Sequence, residues 1–470
     1  MTGSFALGAS ARRLADNRVL WASAACLAGL VAGVSAVDGV DFAGFAAMLA
    51  GIVTVLLVLW RYEIGAVLMV LTLPLDMYGR ILETPVVITV FHVVLVLTLA
   101  SWVLRLYAEP ERRVAFSVVD IGIAALVLAA VWSLPFSLDG RDTLIAVVRL
   151  LFLWAFTLLY ANALSSRKTA DWVLAVLVGT GVLNGAVALA QYFVPGFEYG
   201  NVRSVNQGAG TGVVLRRVGA LFWDPNYLGG FLCVAFLTAV VLLVHSRKPH
   251  VALAWLASSA VIGGGLVVTF SRTGWVGAAV GLVVVMLTAP KGRKVPLLAT
   301  GMLLVVLVVA ISPGLIVDRL ASIGEVEDDL SNATRYYMFY SSVDIMREHW
   351  VFGTGLAAFD VAFPEYRRLG TLSSVIRPHQ LPLALWAEMG IGGLLAEITL
   401  IVTLAAVFWR RRPHGWHVIE AVAAAGLVSL LVQSWLQYYL YFEYLWLFIA
   451  FAVAGTRFGR LEEETRDGSA

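Results

Sequence analysis

The chain has 470 residues, of which 60% are hydrophobic and 14% charged, and its mean hydropathy is +0.86. That composition excludes a soluble enzyme and predicts an all-α polytopic membrane protein, with residues 1–470 forming a single integral membrane domain. A formal charge of +2, without a basic run interleaved with aromatics, excludes nucleic acid as a partner.

At about 20 apolar residues per crossing, fourteen candidate spans follow in chain order. They lie near 20–37, 42–60, 62–76, 86–105, 119–136, 143–164, 170–193, 225–245, 250–270, 274–289, 295–312, 380–409, 417–436 and 442–456. The third and last are short, and 380–409 has room for an interfacial turn, so about 12–14 transmembrane helices are expected. The first run has no small-residue cleavage site after a short apolar core, and reads as a retained span. Cys26 and Cys233 both lie inside apolar runs, placed for neither a disulfide nor a CxxC metal site.

With the N-terminus inside, the cytoplasmic pieces hold "ARR" (11–13), "ERR" (111–113), "SRK" (246–248), "KGRK" (291–294) and "RRR" (410–412), and the C-terminus is cytoplasmic too. The inside segments carry 20 of the 33 Lys and Arg, including all four lysines, 168, 248, 291 and 294. This distribution follows the positive-inside rule. Every outside cation is therefore an arginine, whose planar fork grips phosphate bidentately; a general preference of the chain for Arg over Lys explains the bias equally well.

Two outside segments exceed turn length. The first, about 194–224, is rich in Gly and Asn and holds Arg203, Arg216 and Arg217. The second, a large extracytoplasmic loop over 313–378, has its own helical pattern: Tyr336, Phe339, Val343, Met346 and Trp350 recur every three or four residues. That spacing predicts an amphipathic helix lying on the outer membrane surface. "FGTG" ends it, and "LAAFDVAFPEYRRL" suggests a second short helix.

Several charged positions need an explanation. Arg272 begins the tenth span in "TFSRTGWVG" (269–277), with Ser271 or Thr273 as N-cap. A helix N-terminus is already partly positive, so a cation there asks for a phosphate or carboxylate; the alternative is a side chain that snorkels to the headgroups. Arg149 lies two turns into the sixth span, where an ionisable residue is a functional candidate or a structural partner for Gln191 or an acid. Of seven histidines, only His349 and His379 fall outside. His349, on the surface helix, suits a structural role. His379, between two prolines at the outer boundary and two residues after Arg377, could as a neutral imidazole take a proton from a sugar hydroxyl. The outside face lacks the clustered His or Cys that zinc requires, and "EVEDDL" (325–330) reads as a solvated acidic run.

In order, "RVGALFWDPNYLGGFL" (217–232), "TFSRTGWVG" (269–277), "RYYMFYSSVDIMREHWVFGTGLAAF" (335–359) and "PHQLPLALWAEMGIGGLL" (378–395) make the chain resemble the O-antigen ligase and polymerase superfamily, most strongly over 217–395. The resemblance implies a glycosyltransferase C-type helical fold. It also implies transfer of a glycan from undecaprenyl diphosphate to an acceptor hydroxyl, a glycan or lipid A core sugar, with inversion and without metal or other cofactor. The setting would be the outer face of the bacterial cytoplasmic membrane, in contact with membrane lipids. By position, Arg217, ahead of Pro225 and Asn226, and Arg272 would hold the diphosphate, and His379 would be the catalytic base. Gln380 stands where Asn is common. Arg335, Arg377, Arg216, Glu388 and Arg149 complete the candidate substrate-binding set. A secondary transporter would instead show paired broken helices, and a non-catalytic subunit of a polysaccharide assembly complex would not need Arg217, Arg272 and His379 together.

Overall fold

The computed structural model describes residues 42–75, 80–82, 88–109, 114–164, 166–199, 201–207, 213–290, 292–293, 301, 330–368, 378–411 and 416–467. The expected span near 20–37, nearly all of that near 295–312, most of "EVEDDL" and Arg377 lie outside these residues.

Among the described residues, twelve apolar helices stand at twelve of the expected spans. They are α1 (Phe42–Trp60), α2 (Tyr62–Thr72), α3 (Val90–Ala108), α4 (Val119–Ser133), α5 (Gly140–Ala163), α6 (Arg167–Phe193), α7 (Pro225–His245), α8 (Pro249–Val268), α9 (Arg272–Thr288), α12 (Leu381–Arg411), α13 (Val418–Ser434) and α14 (Glu443–Asp467). Seven are long and apolar enough to cross a membrane, α4 with its 3-10 extension Leu134–Phe136 included. The chain is thus an all-α polytopic membrane protein, with two short antiparallel hairpins on its loops: β1 (Arg80–Leu82) with β2 (Ile88–Thr89), and β3 (Asn201–Gln207) with β4 (Val213–Ala220).

The core is built around α7. Every residue from Leu228 to Val241 is buried, as expected for a helix apolar on all sides, and α6, α8, α9 and α13 enclose it. Glycines let these helices approach closely. A Cβ on Gly265 of α8 would meet the backbone of Gly185 on α6, and one on Gly229 of α7 would lie 2.6 Å from the Ser271 side chain at the start of α9.

Helix α12 is interrupted at Gly390, whose φ of 62° and ψ of −157° are non-helical. The interruption lies well inside the helix, beyond the interfacial turn that its length suggested. Residues 350–355 take over the broken ladder: Thr354 N donates to Ala387 O at 3.0 Å, Gly355 N to Glu388 O at 2.8 Å, and Ile391 N to Trp350 O at 2.8 Å. Left unmade in lipid, each bond would cost several kcal/mol, so this segment is what permits the break.

The loop helices form where expected, as α10 (Leu330–Glu348) and α11 (Phe359–Tyr366). Their packing adds a second apolar face to the expected stripe. Helix α10 buries Met338, Ser341, Ser342 and Ile345, with Met338 and Ile345 against Phe359 and Phe363 of α11 and Ala387 of α12. Tyr336, Phe339 and Trp350 remain exposed. The pattern carried two apolar stripes, and α11, close in the chain, covers the one offset by two residues.

Segments assigned by sequence to one side meet in space. Leu138 N donates to Thr354 O at 2.9 Å and Arg217 bonds Thr269 O, joining outside segments. At the other end, Arg293 bonds Ser246 O at 3.0 Å and Ala115 N bonds Asn162 Oδ1 at 3.1 Å.

Candidate active site

Two capped helix N-termini lie side by side. Asp224 caps α7, its Oδ1 accepting from Asn226 N at 2.7 Å. Ser271, rather than Thr273, caps α9 by accepting from Gly274 N at 3.3 Å, and its hydroxyl also lies 3.0 Å from that of Thr273. The close approach of Gly229 and Gly274 keeps the two ends together. Each end adds partial positive charge and directed N–H groups, the ordinary ingredients of an anion site.

Arg217 ties the pair. From β4 its Nε donates to Thr269 O at 3.1 Å, the C-cap carbonyl of α8, and its second nitrogen donates to Asn226 Oδ1 at 2.8 Å. Arg272, half-buried, opens α9 three residues after Thr269. The strand carrying Arg217 is held by Gln191, fully buried on α6, which accepts from Ala220 N at 3.0 Å and donates to Tyr199 O at 2.6 Å.

Backbone strain marks the same end of the molecule. Among the described residues, the non-glycine positive φ values belong to Ala220 (46°), Phe270 (51°) and Ala357 (68°). Two of them immediately flank the segments bearing Arg217 and Arg272. Left-handed backbone costs roughly 1–2 kcal/mol per non-glycine residue, a cost typical of sites whose geometry matters more than local stability.

His379 sits in the turn before α12, which begins at Leu381. It is half-buried and faces three groups: Arg335 of α10, Asp224 at the start of α7, and Gln437 of the connection between α13 and α14. Burial first, then the Arg335 charge, push the imidazole down to about 4, against the opposing pull of Asp224 and Gln437. At neutral pH the ring is therefore uncharged and can accept a proton.

The structure thus brings Arg217, Arg272, Arg335 and His379 around the N-termini of α7 and α9. It sets others apart. Arg216 lies next to Arg217 on β4, so its side chain leaves the opposite face of the hairpin. Arg149 stacks over the Tyr441 ring, 4.5 Å from its centroid, and donates to Tyr441 O at 3.3 Å; Tyr441 is its partner in place of the expected Gln191 or acid. Glu388 is wholly buried, its Oε2 accepting from Tyr438 at 3.4 Å and its carbonyl bonded to the strap at the α12 break.

The segment 437–442, "QYYLYF", was not singled out from sequence, yet it meets His379, the first turn of α7, Glu388 and Arg149. Gln437 meets His379, Tyr438 meets Glu388, Tyr439 donates to Gln433 Oε1 at 3.2 Å, Tyr441 carries Arg149, and the Phe442 ring lies tilted against Tyr227 of α7, their centroids 4.4 Å apart. Its aromatic character reads in sequence as an interfacial belt, which hides this role. Asp224 was missed for another reason: its capping is legible in "WDPN", but its approach to His379 joins positions far apart in the chain.

No curated protein matches the chain. Residues 257–398 match the family model described as O-antigen ligase, a stretch that contains Arg272, Arg335, His379 and Glu388 but not Arg217. That stretch, under a third of the chain, is thus similar to the O-antigen ligase family.

Proposed function

We propose that the chain transfers a glycan from undecaprenyl diphosphate to an acceptor hydroxyl on the outer face of the cytoplasmic membrane, with inversion and without a metal. The observation that carries this reading is the tripeptide at the α7 N-terminus. Asn226 receives Arg217, while Asp224, two residues earlier, faces His379. One helix end thus joins a cationic anion grip to a neutral base. In this reading Arg217 and Arg272 hold the diphosphate. His379 takes the acceptor hydroxyl proton as that oxygen bonds the anomeric carbon, and the bond to the diphosphate oxygen breaks with its electron pair on the leaving group. Guanidinium groups already fixed in place stabilise that developing charge without reorganising.

The interruption of α12 does not favour a transporter. Its backbone groups are sealed by 350–355, and no other described span has a non-helical residue inside it.

Reconstitution with a lipid-linked oligosaccharide and candidate acceptors tests the reading. Arg272→Ala should lower turnover by about 10²–10³ and His379→Ala by about 10²–10⁴, with both proteins folded. Unchanged release of lipid diphosphate from either variant would remove that residue's role. A ladder of repeats identifies a polymerase; a single addition to lipid A core identifies a ligase.

A further inference from the structure

We infer that Arg149 is a second phosphate site, which holds the lipid phosphate of the acceptor while Arg217 and Arg272 hold the diphosphate of the donor. The inference rests on the glycan-transfer reading above. Arg149 lies within the apolar span α5, about 13 Å from the helix start at 1.5 Å per residue. It is exposed, at the edge of the face on which Leu144, Val148, Leu151 and Phe152 are exposed as well. That is the face a membrane span turns to lipid. A guanidinium beside it is costly unless an anion meets it, and among the described residues none of the ion pairs includes Arg149. The side chain is nevertheless fixed. It lies over the Tyr441 ring, 4.5 Å from the centroid, and donates to Tyr441 O at 3.3 Å, while Tyr441 itself is buried. That bond uses one N–H of the fork, and the rest are available to the oxygens of a phosphate.

The position of Arg149 gives that phosphate a source. Tyr441 belongs to the connection between α13 and α14, on the outer side by the count of spans, so the guanidinium is held at the end of the span where lipid headgroups lie. The next residue, Phe442, lies against Tyr227 in the first turn of α7, beside the Asn226 that receives Arg217. The contacts that link the two arginines therefore run through the rings of Tyr441, Phe442 and Tyr227. Transfer between two lipid-borne glycans brings two phosphate-bearing headgroups to one protein, with the reacting sugars between them. One cationic position then serves the leaving group and the other anchors the acceptor. No bond to the acceptor phosphate forms or breaks, so Arg149 acts on acceptor affinity and not on the chemical step.

The full-length protein in phosphatidylcholine nanodiscs, titrated with undecaprenyl diphosphate and with lipid A, tests this. With a lipid-linked acceptor, wild type should bind two undecaprenyl diphosphates, and Arg149→Gln and Arg272→Ala one each. With lipid A core as acceptor, wild type should bind one of each lipid, and Arg149→Gln should lose lipid A alone. In turnover, Arg149→Gln should raise the acceptor KM about ten- to a hundredfold, the loss of charge-assisted hydrogen bonds, with kcat and donor KM within about twofold. Arg149→Lys should recover part of that loss, and the same glycan on an uncharged lipid should not distinguish the variants from wild type. Equal loss in both variants on charged and uncharged acceptors alike would make Arg149 a structural support for Tyr441 and overturn the inference. So would a rise in donor KM alone, or displacement of the probes by an equal amount of phosphatidylglycerol, which would mean that Arg149 meets only bulk headgroups. Should Arg272→Ala and His379→Ala retain full transfer, the transfer reading fails, and the titration still decides whether Arg149 holds a lipid phosphate.

Discussion

At the scale of single residues, the feature that most constrains the chemistry is the weak basicity of His379. Burial and the Arg335 charge hold it down to about 4. A base that weak is fully available at neutral pH but poorly driven, and a bound anion changes this. A donor diphosphate that pairs with Arg335 removes the positive charge opposing protonation, so the imidazole in the complex should be more basic than in the free enzyme. The limb of kcat, which reports the complex, should then lie at higher pH than the limb of kcat/KM, which reports the free enzyme. Arg335→Gln should raise the kcat/KM limb and narrow the gap between the two profiles. Coincident limbs in wild type would mean that the donor does not reach Arg335. Arg217, Arg272 and His379 were legible in the sequence as candidates because each is a charge or imidazole at a boundary where apolar residues are the rule. Asp224 and Gln437 were not, because nothing local distinguishes a cap or a loop glutamine that meets a histidine from elsewhere in the chain.

At the scale of elements, the break in α12 is where local sequence and tertiary structure diverge. "EMGIGG" (388–393) offers three glycines, any of which suits an irregular backbone, and the choice of Gly390 is made by the 350–355 strap lying against it. The backbone there is open essentially to glycine alone, and a Cβ would meet the Val351 carbonyl. Gly390→Ala should therefore destabilise the protein by about 1–3 kcal/mol from the backbone alone, and by more if the strap is displaced. Gly179→Ala is the matched control: this glycine lies inside α6 with nothing within 4 Å of an added Cβ, and alanine there should stabilise by about 0.5–1 kcal/mol. Thermal unfolding in detergent, followed by tryptophan fluorescence, compares the two, and similar melting temperatures would mean that the strap does not bear on the break. The spans themselves were legible because hydropathy over a whole crossing outweighs local detail. The β3 and β4 hairpin was not, since its glycine-rich turn region read simply as a long loop.

At the scale of the whole molecule, the arrangement follows from sidedness. Asp224, Ser271, Tyr438 and the pair Thr354 and His379 come from four separate connections, and alternating spans from an inside N-terminus puts all of them on one side; the contacts of Ser271 with Gly229 of α7 and of Leu138 with Thr354 agree with that count. The opposite end carries the lysines at 168 and 248. Sequence counting could establish that these connections share a side, but not that they share a site, which depends on glycine contacts bringing α7 and α9 together. Which end faces outward rests on the distribution of Lys and Arg, and this is open to direct measurement. Arg141, at the start of α5, and Lys248, between α7 and α8, are both exposed and belong to opposite ends. In a variant with Cys26 and Cys233 replaced by Ala, a membrane-impermeant thiol reagent applied to intact cells should label Arg141→Cys at once and Lys248→Cys only after permeabilisation. The reverse pattern would turn the site toward the cytoplasm, where a donor displayed on the outer leaflet cannot reach Arg217 or Arg272, and the proposed reaction would lose its substrate.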